Sequence, residues 1–112
     1  MRDDRPWGHF EVLSDEPDHK VKRIVIRPGH RLSLQYHKKK DESLYLYEGK
    51  VRIEIEGSDG RLVQYVAEPG HCLRVLPLTK HRLEAIEDAT LFEVSTPELE
   101  DVQRLKDDYG RV

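Results

Sequence analysis

Across residues 51–56 (VRIEIE) the chain alternates without a break. Val51, Ile53 and Ile55 fall on one side, and Arg52, Glu54 and Glu56 on the other. A period of two marks a strand with one buried and one wet face. Similar short runs, β-branched or alternating, recur at residues 20–27, 31–37, 43–47, 62–66, 73–76, 82–86 and 90–95. Turn residues punctuate them at Pro28-Gly29, Glu48-Gly49, Gly57-Ser58-Asp59-Gly60 and Glu68-Pro69-Gly70. Short strands at this regular spacing predict an all-β sandwich or barrel, not a parallel α/β sheet. The tail reads differently. Thr96 can cap a helix, Pro97 suits its first position, and Glu98 and Glu100 suit the positive end of its dipole. Leu99, Val102 and Leu105 then form an apolar stripe, and Gly110 is a stop. The expected layout is an N-terminal arm over 1–19, a barrel over 20–95 and a short C-terminal α-helix over 96–110.

Length and composition narrow the possibilities. A chain of 112 residues is one domain. It buries roughly two-thirds of its unfolded surface, enough for one core. A formal charge of −3 leaves no electrostatic footprint for nucleic acid. No apolar run is long enough to span a bilayer, and the first residues lack the apolar stretch of a signal peptide. Cys72 is the lone cysteine, so no internal disulfide can form, and a reducing cytoplasm is the expected setting. No motif around Cys72 suggests a nucleophile. The run Lys38-Lys39-Lys40 reads as a solvated loop.

The candidate chemistry lies in four residues. Gln35 and His37 are two apart on a strand, so both side chains leave the same face. Glu42 follows across a short polar loop, and His81 comes from a distant strand. Either histidine alone would pass for an ordinary polar residue. Together, two imidazoles, a carboxylate and an amide oxygen suit a borderline divalent metal. Zinc comes first, with nickel, manganese and iron as alternatives. In a barrel alternate residues point inward, which would gather these four with Ser33, Leu44, Leu46 and Leu83. Leu32, Leu34 and Tyr36 would then face away from the cavity, as would Tyr45 and Tyr47.

The spacing Gly29, Gln35-Tyr36-His37, Glu42, Gly49 resembles the first signature motif of the cupin superfamily, with Gln-x-His where His-x-His is common. Gly70 to His81 has the spacing of the second motif. Leu76 and Leu78 stand there at positions that the family usually gives to Pro and Gly. Five further segments look like the cupin domain of type II phosphomannose isomerases. They are Arg5-Pro6-Trp7-Gly8, Lys20 to Ile24, Arg31 to Gln35, Lys80 to Glu84 and Asp107 to Arg111. That family often carries the domain behind a mannose-1-phosphate guanylyltransferase domain. No such domain is present in these 112 residues, so that activity is not expected here. Around the metal-binding glutamate, Lys40 stands where Arg is usual, and Ser43-Leu44 replaces a His-Trp pair.

The resemblance implies a small cupin-type (jelly-roll) barrel and a metal-dependent aldose–ketose isomerase acting on mannose 6-phosphate and fructose 6-phosphate. Such chemistry needs a base that reaches a carbon-bound proton, and cations that hold a phosphate. Glu93, which interrupts the apolar strand Leu91 to Val94, is expected to face outward as a surface carboxylate; turned inward, it is the candidate base. Arg5, Lys22, Lys40 and Arg74 are the candidate phosphate ligands. Trp7 either walls a sugar site or anchors a strand. A non-catalytic carbohydrate-sensing cupin and a dioxygenase-type cupin are the competing functions. The small-molecule partner expected is a sugar phosphate. A homodimer is expected as well, because cupins commonly pair through their sheets and Tyr45 and Tyr47 need cover.

Overall fold

The computed structural model describes residues 2–98 and 101–112. Among them are eleven strands and no helix. They are β1 (Arg2–Arg5), β2 (Gly8–Asp15), β3 (Lys20–Ile26), β4 (Leu34–His37), β5 (Glu42–Glu48), β6 (Val51–Glu56), β7 (Leu62–Ala67), β8 (Cys72–Val75), β9 (His81–Ala85), β10 (Ala89–Ser95) and β11 (Val102–Lys106). All named pairings are antiparallel. One sheet runs β1-β2-β3-β10-β5-β8 and the other β11-β4-β9-β6-β7.

The two sheets close over a core supplied by alternate residues. Ile24 and Ile26 of β3, Leu44 and Leu46 of β5, Val51 and Ile53 of β6, and Leu91 of β10 are all buried. Their polar neighbours in sequence face out, as the period of two requires. Trp7 belongs to this core and anchors the N-terminal hairpin, so it does not wall a sugar site. Gly49 turns β5 into β6 at φ +94, and a Cβ there would lie 2.0 Å from the Asp88 carbonyl oxygen. Only glycine fits both the backbone angle and the contact. Tyr45 and Tyr47 are exposed on the outer face, with Tyr47 edge-on to Phe92.

Three expectations need correction. The helix expected over 96–110 is absent from the described residues, and β11 takes its place (Leu99 and Glu100 lie outside the described residues). Val102 pairs with His37 and Arg104 with Gln35, so β11 covers the open edge of β4. Backbone partners on a neighbouring strand outweigh a weak helical stripe, since local propensity is easily overridden by tertiary pairing. Residues 2–15, expected as an N-terminal arm outside the barrel, form two strands of the larger sheet. Alternation also fails before β4: Leu32 packs against the core, because the regular strand begins only at Leu34.

Candidate metal centre

The barrel interior is apolar at one end and charged at the other. Following β3 backward from Ile26 and Ile24, the same inward positions become Lys22 and Lys20. Following β10 forward from Leu91 they become Glu93 and Ser95, and on β5 the series Leu46, Leu44 ends at Glu42. The strand register sets Glu93 between Lys22 and Leu44, and Ser95 between Lys20 and Glu42. The opposite sheet supplies His37 from β4 and His81 from β9, where Gln35 is the cross-strand partner of His81.

His37, Glu42 and His81 converge. Each offers one ligand atom, and these atoms lie within 4.8 Å of one another. Glu42 Oε1 is 3.4 Å from His81 Nε2 and 3.7 Å from His37 Nε2. Two ligands each ~2.1 Å from one ion are separated by about 3.0–3.4 Å at octahedral or tetrahedral angles, so the Glu42–His81 pair has that spacing and His37 would have to move a few tenths of an ångström closer. The hydrogen bonding fits too. His81 Nδ1 lies 2.9 Å from the Thr79 carbonyl oxygen, within hydrogen-bond distance, which orients the ring with Nε2 toward the cluster. His37 Nε2 is buried without a hydrogen-bond partner, a state that a cation would relieve. Gln35 lines the same small cavity, of about 40 Å³, and its Oε1 accepts a bond from Ser33 Oγ at 2.6 Å. Ser33, Leu44 and Leu83 line it as the alternation predicted, whereas Leu46 lies in the apolar core and is not part of the cavity wall.

Lys40 departs from the solvated-loop expectation. Lys38 and Lys39 are exposed, but Lys40 is buried with its Nζ 3.0 Å from Glu42 Oε2 and 3.2 Å from Glu93 Oε2. Glu42 therefore divides its oxygens, one toward the imidazoles and one toward an ammonium. Burial alone would raise the Glu42 carboxyl, but the His81 hydrogen bond and the Lys40 charge outweigh it and hold Glu42 below the ordinary carboxylate range. Burial also opposes the charge on Lys40, but Glu93 and Glu42 keep its pKa above the usual value. Glu93 faces inward, which corrects the outward orientation expected from the sequence, because Lys40 partners it inside the barrel. Burial, joined by the Glu42 charge, pushes it up to about 7 against the pull of Lys40. Burial lowers His37 to about 4, so its ring is neutral at pH 7.

The remaining candidates separate. Lys22 lies 4.0 Å from Glu93 and 4.7 Å above the Phe10 ring, and burial lowers its pKa. Arg5 pairs with Asp3 and stands 5.1 Å over the same ring, so it reaches the cavity only by way of Phe10 and Lys22. Arg74 is on the outer face, paired with Asp41 at 2.7 Å, away from the cavity. Sequence reasoning missed Thr79, which orients His81, and Asp101, which holds the loop of Lys40. Neither carries a motif. Their roles depend on backbone groups brought near by folding.

Residues 2–107 match the family described as mannose-6-phosphate isomerase C-terminal. The chain belongs to that family. It is 32% identical over 113 residues to the mannose-1-phosphate guanylyltransferase ManC of Salmonella typhimurium, covering 96% of this chain and 22% of that protein. A mannose-1-phosphate guanylyltransferase of Escherichia coli is 31% identical over 113 residues, covering 96% and 23%. The chain thus spans under a quarter of the length of these curated relatives. Among solved structures, KdgF from Halomonas sp. superposes with a TM-score of 0.77 at 19% identity, covering 89% of this chain and 88% of that one. An oxalate decarboxylase of B. subtilis gives 0.83 at 17%, covering 100% and 32%. Another structure of the Bacillus subtilis enzyme, described through its Mn(II) centres, gives 0.78 at 18%, covering 91% and 29%. These neighbours establish the cupin-type fold.

Proposed function

We propose that this domain is a metal-dependent sugar-phosphate isomerase interconverting mannose 6-phosphate and fructose 6-phosphate. One observation carries the reading: Glu93, a buried carboxyl held near pKa 7, lines the same cavity as His37, Glu42 and His81. Aldose–ketose isomerisation moves a proton between neighbouring carbons, and a carboxylate that ionises near neutrality can take it and return it. His37, Glu42, His81 and Gln35 would hold the cation, zinc by donor type or manganese as in the oxalate decarboxylase neighbour. Bound there, such an ion supplies Lewis-acid stabilisation of charge on the substrate oxygens. Lys40 offsets the charge of the two carboxylates, and Lys22 lies 4.0 Å from Glu93. A homodimer covering Tyr45 and Tyr47 belongs to the same proposal.

A coupled assay for fructose 6-phosphate from mannose 6-phosphate, run on zinc- and manganese-loaded protein, is the direct test. Turnover should be lost in Glu93→Gln while metal content is kept. A second reading, a sensing cupin without turnover, is favoured by the changed stretch around Glu42, where Lys40 stands for the usual Arg and Ser43-Leu44 for a His-Trp pair. Saturable sugar-phosphate binding by loaded protein that turns nothing over would decide for the sensor.

A further inference from the structure

The loop between the candidate ligands His37 and Glu42 is gripped from outside by the segment that precedes and begins β11. Asp101 Oδ1 accepts the N–H of Lys38 at 3.2 Å, and its Oδ2 accepts those of Lys39 at 2.7 Å and Lys40 at 2.9 Å. Successive main-chain donors converging on one anion form a nest, here filled by a carboxylate of the same chain. Those bonds, from Lys39 first, keep Asp101 below the ordinary carboxylate range. Thr96 adds a second grip: its Oγ1 accepts the Asp41 N–H at 3.0 Å, and its own N–H donates to the Asp41 carbonyl at 3.0 Å. Val102 pairs with His37 at the loop's other end.

The grip has a geometric result. With their N–H groups pinned to one point, the side chains of Lys38 and Lys39 stay in solvent and Lys40 turns inward, between Glu42 and Glu93. A solvated loop would put all three ammonium groups in water, because burying one is expensive without fixed partners. We infer that Asp101 is the positioning residue of the metal centre, holding the His37–Glu42 loop so that Lys40 lies inside and the two ligands keep their separation. The consequence for metal affinity rests on the proposed metal site, and the placement of Lys40 does not.

Reductive methylation of the folded protein, read lysine by lysine by peptide mass spectrometry, tests the placement. Lys20 is the internal control, since it is 3% exposed against 6% for Lys40 and does not contact Asp101. Wild type, Asp101→Ala and Asp101→Asn are compared. The Asn variant keeps the shape but turns an N–H₂ toward a backbone donor. Lys40 should be methylated about tenfold faster in both variants, with Lys20 unchanged. Equilibrium dialysis against zinc alone should show the Kd rising roughly 10–100-fold, the usual effect of losing a residue that orients metal ligands. The inference is overturned if Lys40 stays as protected as in wild type. It is equally overturned if Lys20 and Lys40 are released together in Asp101→Asn, which would mean general loosening. Released Lys40 with unchanged zinc affinity removes the metal-positioning role. A wild type that takes up no zinc, while Lys40 is still released in the variants, defeats the metal reading and leaves Asp101 as the residue that places Lys40.

Discussion

Replacing Lys40 by methionine removes one charge from between two buried carboxylates and changes little else. The methionine side chain is of similar length and fills irregular space well, so packing losses should be small. What remains is Glu42 and Glu93, 3% and 5% exposed, without the ammonium that lay 3.0 and 3.2 Å from their oxygens. Breaking a buried pair by removing one partner costs about 3–5 kcal/mol, a large share of the roughly 5–15 kcal/mol that holds a domain together. With a urea m-value of about 2 kcal/mol/M, a 4 kcal/mol loss lowers the midpoint by about 2 M. The effect must grow with pH. Glu93 in the folded wild type is raised from 4.5 to about 7, so its contribution to stability is complete below pH 4.5 and lost as pH rises toward 7. Over that window the loss is about 3 kcal/mol, after which the wild type levels off. Without Lys40 the carboxyl rises further, and the decline continues above pH 7 at about 1.4 kcal/mol per pH unit. Urea unfolding can be followed by the fluorescence of Trp7, the sole tryptophan and a core residue, at pH 5 and pH 8 in metal-free buffer. The gap between variant and wild type should widen from pH 5 to pH 8, and zinc should narrow it. Equal midpoints at pH 8, or a gap that shrinks as pH rises, would refute the placement of Lys40 between the carboxylates.

Leu78 sits at φ +68 in the turn before His81, and its side chain is 63% exposed. A left-handed angle costs a non-glycine residue about 1–2 kcal/mol, and the extra chain entropy of glycine returns about 0.5–1 of it. Leu78→Gly should therefore raise the thermal midpoint by a few degrees in calorimetry, and a fall would show that the turn is not strained. The His37 ring should stay neutral from pH 8 to pH 6, because burial lowers its pKa to about 4. Its ring signals, followed by NMR through a pH titration of metal-free protein, should shift only as pH approaches that value; a midpoint near 6.5 would mean that the ring is solvated.

The alternation of apolar and polar residues determined eight of the eleven described strands, β3 to β10, and the inward parity of Gln35, His37, Glu42 and His81. A period of two is a local property, and it survives folding because one face of each strand must leave water. Motif spacing then brought the candidate metal ligands into view before any coordinates. Leu78 shows the same logic in reverse: it stands where the family resemblance puts a glycine, and its backbone takes the angle that glycine prefers. Other features had no local sign. Thr96, Leu99, Val102 and Leu105 satisfy a helical pattern, yet Val102 and its neighbours form β11, because β4 offers a row of backbone partners that no window of sequence reveals. Lys40 looked like its two neighbours, and only the tertiary structure separates it from them. Its place depends on Asp101, 61 residues away, and on two carboxylates from different strands. Burial of a charge is decided by the sum of partners that distant segments bring, so it is written in the assembled fold and not in the run of residues around it.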